Sequence, residues 1–281
     1  MHTPYRYPLL ACLALIPALP AQSLVSYWDF ESDLVDSAPA GVSVDDGTWV
    51  GTPAFTETSP LGEGLLLDGS NFVTVPASAD VDGFIGDYSL TGWFRVDQWD
   101  SASQVILSKG EAPNYAVERD GSGSGLRFAD GSGNPSGGSV NDGVWHHFAA
   151  VSEGGEISEI YIDGESAGVG ASASVSDSGG LLGIGNIPGA ANRGWKGAID
   201  DIGIFHDHLN LFQTRAIYTL GRDSVLSYDL PKVLQLFDLH RAGPGGEPVL
   251  IGSRTWIYAA SDPGGDPSFV RLGTDLSGVM L

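Results

Sequence analysis

The sequence predicts an all-β protein of antiparallel sheets, a sandwich or a barrel, with a small α+β appendage towards its C-terminal end. Three observations lead there. Glycine supplies 40 of 281 residues, and Gly, Asp, Ser and Asn cluster at short intervals, as turn residues do. Between the clusters stand short runs rich in β-branched and aromatic residues, which is the composition of strands. Runs rich in Ala and Leu at helical spacing are scarce.

Taken in order, strands are expected at 24–30, 64–68, 72–75, 88–96, 105–108, 115–119, 126–129, 145–152, 159–163, 181–185 and 195–205. Asp163-Gly164 sits between two such runs and reads as a hairpin turn, because both residues tolerate positive φ. Residues 152–155 make a second tight connection. The Gly/Ser-rich stretches 120–125 and 130–139 are expected to be mobile loops. Near Asn210 the texture changes. Asn210 with Gln213 resembles a capping box, and Leu211, Ile217 and Leu220 follow before Gly221. A second helix is expected to open at Asp229-Leu230-Pro231, to carry Val233, Leu236, Phe237 and His240, and to stop at Gly243. Strands at 248–252, 255–259 and 269–272 complete the appendage. No repeat of solenoid or propeller period is present. The expected organisation is a leader at 1–21, a sandwich domain at 22–222 and an appended segment at 223–281.

Thirteen Lys+Arg stand against 35 Asp+Glu, a formal net charge of −22. That balance excludes a nucleic-acid binder working by phosphate neutralisation. Residues 9–19 form an apolar run of signal-peptide length, and Ala21 offers a small residue at a cleavage point. The run is too short to span a bilayer, so no membrane insertion is expected and the chain reads as secreted, to the exterior or the cell envelope. Lipid attachment at Cys12 is the competing reading, weakened because only residues 1–8 precede its box. Cys12 is the single cysteine. Once it leaves with the leader, thiol catalysis, disulfides and cysteine-bound zinc are all removed.

Five motifs occur in order: Gly64-Leu-Leu-Leu-Asp-Gly-Ser-Asn-Phe-Val-Thr-Val-Pro76, Tyr88-Ser-Leu-Thr-Gly-Trp-Phe94, Asp142-Gly-Val-Trp-His-His-Phe-Ala149, Ile160-Tyr-Ile-Asp-Gly164 and Gly197-Ala-Ile-Asp-Asp-Ile-Gly-Ile-Phe205. Together, over about residues 24–221, they resemble the laminin G-like, concanavalin A-like lectin/glucanase domains. The resemblance implies a jelly roll of two stacked antiparallel sheets whose first and last strands lie together. It also implies a structural calcium ion (Ca2+) there, with the Asp200 side chain as ligand and backbone carbonyls near Asp29 and Gly69 completing the site. The residues agree in part. Strict alternation places Asp200 on the face of Ala198, Ile202 and Ile204, where a bare carboxylate is costly unless a cation or hydrogen bonds meet it.

His146 and His147 are neighbours on a strand and point to opposite faces, so they cannot grip one ion. Polysaccharide hydrolases of this architecture commonly place their carboxylates along one strand as Glu-x-Asp-x-Glu. No such run exists here: Glu153, Glu156 and Glu159 flank a turn, and Glu118 and Asp120 border a loop. No catalytic residue is assigned. The expected function is an exported, calcium-stabilised binding module for carbohydrate or a surface glycoprotein, with Trp99, Tyr115, Arg119, Asn192, Arg193 and Trp195 as ligand-contacting candidates. A cell-envelope adhesion protein acting through protein contacts is the first alternative, and a divergent polysaccharide hydrolase the second.

Overall fold

The computed structural model describes residues 24–38, 43–82, 84, 86–110, 114–131, 133–172, 175, 179–221, 234–242, 248–261 and 267–272. The leader, Cys12 and the 229–231 helix start lie outside the described residues. The chain divides between a unit spanning Ala21–Pro231 and a second that holds Lys232–Leu281.

In the larger unit two antiparallel sheets stack face to face. The first is eight-stranded, in the order β13 (Glu165–Ala171), β12 (Ile157–Ile162), β11 (Trp145–Glu153), β6 (Tyr88–Val96), β15 (Lys196–Phe205), β4 (Gly62–Asp68) and β3 (Phe55–Ser59), with β1 (Leu24–Trp28) also pairing β15. The second is seven-stranded, in the order β10 (Ser136–Gly137), β9 (Leu126–Ala129), β8 (Ala116–Arg119), β7 (Val105–Ser108), β14 (Leu182–Ile184), β5 (Phe72–Val75) and β2 (Thr48–Val50). Alternation along each strand aims one residue in two between the sheets. Trp28, Leu90, Phe94, Phe148, Ile199 and Ile202 from the first sheet thereby meet Val73, Ile106, Val117, Phe128, Leu182 and Ile184 from the second in one buried core. Burying each such side chain contributes about 1.5–3 kcal/mol.

The strand expectations match closely, and the opening and closing strands do lie together: Trp28 pairs Ile202 and Ser26 pairs Ile204. Asp163 and Gly164 both have positive φ, at 51° and 75°, so the hairpin turn is of the expected kind. The helix α1 (Leu211–Leu220) opens on a reciprocal capping box: the Asn210 N–H donates to Gln213 Oε1 at 2.7 Å, and the Gln213 N–H donates to Asn210 Oδ1 at 3.2 Å. It ends on the Gly221 N–H donating to the Ile217 carbonyl at 2.9 Å. Ala216 and Ile217 pack with Leu24, Tyr27, Ala149, Val151 and Phe205, covering the outer face of the first sheet.

Three expectations are corrected. The stretch carrying Leu236, Phe237 and His240 is strand β16 (Leu234–Ala242), not helix. It pairs with β17 (Pro248–Ser261), one long strand where two short ones were expected, and β17 pairs with β18 (Pro267–Leu272) in a three-stranded sheet. Backbone pairing with β17 overrides the helical spacing, as tertiary context commonly does. Parts of both stretches expected as loops carry regular hydrogen bonds. Ser136–Gly137 forms β10 against β9, and the Arg119 side chain donates to the carbonyls of Ser101, Ser122 and Gly123 at 2.7–2.9 Å.

Asp200 is the third correction. A bulge inserts one residue into β15 between Asp200 and Gly203, with Asp201 at φ 50°. Two neighbouring side chains therefore leave on the same side. Ile199, Ile202 and Ile204 face the core, whereas Asp200 pairs Trp93 and Asp201 faces Tyr27 on the outer side.

Candidate functional site

The outward face of the second sheet carries a built pocket. On β8, Val117 enters the core, which turns Ala116 and Glu118 outward; on β9, Leu126 and Phe128 enter it, which turns Arg127 and Ala129 outward. Glu118 and Arg127 are direct cross-strand partners. The Arg127 Nη2 donates to Glu118 Oε1, and Arg193, arriving from the loop before β15, donates through Nη2 to Oε2. The Arg193 Nε also donates to the Ser103 carbonyl at 2.7 Å, which fixes its direction. The carboxylate is 3% exposed, against 30% for Arg127 and 21% for Arg193. The floor is thus a clamped anion beneath two partly open cations.

Above this floor lies a cavity of about 240 Å³, rimmed by Ser103, Gly110, Asn114, Gly131 and Asn134. The small residues Ala116 and Ala129 leave the space. Two guanidinium groups share one carboxylate in this lining, in a chain of net charge −22. Rigid strands hold charges of both signs, with amides at the rim, an arrangement suited to orienting a polar ligand. A larger cavity of about 420 Å³ is lined by Asp82, Asp87 and Asp207, with Phe84 and His206. Its Asp82 is already paired with Lys109, and the His206 Nε2 already faces the Asp80 carbonyl at 3.0 Å.

Of the six ligand candidates, the structure brings one to the pocket, Arg193. Tyr115 is 1% exposed, its hydroxyl donates to the Val81 carbonyl at 2.8 Å, and it stacks on Phe84. Trp195 is fully buried and its Nε1 donates to the Arg95 carbonyl at 3.1 Å. Both are built into the core. Trp99 packs edge-on against Trp195 at 5.2 Å, beneath the Arg119 guanidinium at 4.9 Å. Asn192 is exposed with φ 61°, a turn position that delivers Arg193. Glu118, Arg127 and Asn134 also line the pocket and were not among the ligand candidates. The signal for Glu118 and Arg127 lay in Ala-Val-Glu-Arg and Leu-Arg-Phe-Ala, where a charged residue takes the outward place beside core residues.

The calcium expectation fares unevenly. Asp200 is fully buried at the junction where β4 and β1 succeed one another along β15, since Ile199 pairs Leu65 and Ile202 pairs Trp28. Gly64 makes room for it: a Cβ there would lie 3.1 Å from Asp200 Cβ. Ser59 Oγ donates to Asp200 Oδ2, the Asp201 N–H donates to Oδ1 at 2.8 Å, and the Tyr27 hydroxyl donates to Asp201 Oδ1. Burial, with the Asp201 charge beside it, pushes the Asp200 carboxyl up to about 9. Two adjacent buried carboxyls demand a compensating proton or cation, so this donor set fits a hard cation. Asp29 directly follows β1, on the Asp201 side. Gly69 does not join them: it lies beyond the Asp68–Lys196 pair, on the order of 15 Å along the strand from Asp200. Among the described residues no three His, Cys, Asp or Glu side chains are gathered as a metal cluster.

The model of the concanavalin A-like lectin/glucanases superfamily matches residues 67–212, just over half of the chain. The chain belongs to that superfamily. No curated protein matches this concanavalin A-like chain. Among solved structures it is similar to domain 4 of AbnA, a GH43 extracellular arabinanase from Geobacillus stearothermophilus, in complex with arabinotriose. There the identity is 20% and the TM-score 0.56, over 70% of this chain and 99% of that one. It is also similar to the binding domain of Paraclostridial Mosquitocidal Protein 1, at 11% identity and TM-score 0.58, covering 89% and 73%. A third similar structure is of botulinum neurotoxin type C, whose cell entry depends on interaction with two ganglioside molecules. Its identity is 15% and its TM-score 0.54, covering 71% of this chain and 51% of that one. This concanavalin A-like domain thus shares its fold with carbohydrate-binding and ganglioside-binding domains.

Proposed function

We propose that this chain is an exported, non-catalytic binding module whose carbohydrate ligand docks on the Glu118–Arg127–Arg193 floor. One observation carries the reading: a cross-strand ion pair, completed from a distant loop, lies at the base of a sugar-sized cavity on a rigid sheet. The guanidinium groups and the rim amides of Asn114 and Asn134 would order ligand hydroxyls, and the strands fix their spacing before binding. The similar arabinanase domain, solved with arabinotriose, supports a glycan as the ligand class. Export rests on the apolar run at residues 9–19.

A structural calcium ion belongs to the same proposal. Asp200, with Asp201 and the Ser59 hydroxyl, would hold it, and the ion would supply positive charge where β1, β4 and β15 meet. Gly69 is left out of the ligand set by its distance along the strand.

Glycan-array binding of the purified chain, with and without EDTA, tests the function. Signal on defined glycans supports it. A blank array accompanied by self-association on sizing would move the function to the adhesion alternative.

A further inference from the structure

Resting on the reading of this pocket as a sugar site, we propose that the sugar it takes carries a carboxylate, and that Arg127 receives it. The charge count comes first. Arg127 has to share the Glu118 carboxylate, its one carboxylate partner among the described residues, with Arg193, in a chain of net charge −22. A negatively charged ligand is repelled by most of this surface and drawn to this point.

The hydrogen bonding then separates the two arginines. Arg193 is committed through Nε to the Ser103 carbonyl and through Nη2 to Glu118. Among the described residues the Arg127 side chain makes one hydrogen bond, from Nη2 to Glu118. Its Nε is buried without a partner, and its side chain is the more exposed of the pair. The Nη1 edge of this fork therefore remains to donate. A planar guanidinium with donors to spare matches a planar carboxylate by two parallel N–H···O bonds, a geometry that neutral hydroxyls do not reproduce. Ala129 and Ala116, beside Arg127 and Glu118, leave room for a pyranose ring to lie against the sheet.

Hexuronates and sialic acids share this chemistry, and the test separates them. Binding of the full chain is measured for tri-galacturonate against its methyl ester, and for sialyllactose against lactose. In at least one pair the acid is expected to bind tenfold or more tighter than its neutral counterpart, with the advantage shrinking as salt rises. The responding pair names the source. Arg127→Gln should reduce the acid to the affinity of the neutral sugar, while Glu118 keeps Arg193 and the fold holds. Arg127→Lys, which keeps the charge without the planar fork, should fall between. Equal binding of acid and neutral forms overturns the carboxylate and leaves a sugar pocket. Acid preference persisting in a folded Arg127→Gln variant overturns Arg127 as the receiver. Binding of none of the four probes, on a chain that also fails on the glycan array, overturns the sugar reading and this proposal with it.

Discussion

Arg193 donates to Glu118 across 75 residues of chain, joining the loop before β15 to the outward face of β8. Arg127 holds the other carboxylate oxygen from the next strand, so Glu118 sits as the shared counter-ion of two cations. Removing its charge leaves two guanidinium groups facing each other over a partly desolvated floor. Glu118→Gln should lower unfolding free energy by roughly 1–3 kcal/mol. Urea denaturation measures this, and an unchanged midpoint would mean the triad is solvated and loose.

Asn210 is the cap of α1, and its side chain satisfies an otherwise orphaned helix N–H. Asn210→Ala should cost about 1 kcal/mol. Since α1 covers Tyr27, Val151 and Phe205, its loss should be felt as a cooperative drop in the thermal midpoint.

His147 predicts a pH dependence. It is 1% exposed between Trp93 and Tyr218, neither ring nitrogen has a hydrogen-bond partner, and burial pushes its imidazole down to about 3 against the opposing charge of Asp163. Tyr27 and Asp201 face it across a cavity of about 10 Å³. Above pH 6.5 both the folded and unfolded forms are neutral, and His147 adds no slope. Below it the unfolded chain binds a proton that the folded chain does not, so stability falls as pH drops from about 6.5 towards about 3. The limiting slope is roughly 1.4 kcal/mol per pH unit. The difference in unfolding free energy between wild type and His147→Phe, followed over this range, should reproduce that slope. A difference that does not change with pH would show that the imidazole protonates freely in the folded protein.

The proposed calcium ion would compete with a proton for Asp200. Its carboxyl, pushed up to about 9, holds a proton at neutral pH without a cation, so binding should release that proton and tighten as pH rises. Saturating calcium at about a hundred times Kd would add roughly 2.7 kcal/mol, visible as a raised melting midpoint against EDTA. Asp200→Asn should abolish the difference. If wild type melts alike in both conditions, the ion has no place in the structure.

Much of the sandwich was legible because its signals are local. Asp163-Gly164 needs only the φ preferences of two residues, and Asn210 with Gln213 needs only one turn of helix. The appendage was harder. Leu236, Phe237 and His240 fit helical spacing, and what makes them a strand is the pairing of Leu236 with Trp256 and His240 with Leu250. The pocket was hidden for the same reason. Glu118 reads with Asp120 as a charge bordering a loop and Arg127 as one residue of a short strand, until the β8–β9 register places Glu118 and Arg127 opposite one another, and Arg193 arrives from a distant segment. At Asp200 and Asp201 a one-residue bulge, which alternation cannot foresee, puts both carboxyls on one side. Large aromatics misled in the other direction: Tyr115 and Trp195 border loops in sequence but close the core.

The pocket itself is tested most directly by filling it. Ala129 lines the cavity beside Arg127, and Ala129→Trp would occupy the space while leaving the triad's charges in place. Titration calorimetry with an oligosaccharide that the wild type binds should show at least a tenfold loss in the variant, at an unchanged melting temperature. Undiminished binding by the folded variant would place the ligand elsewhere and contradict the account.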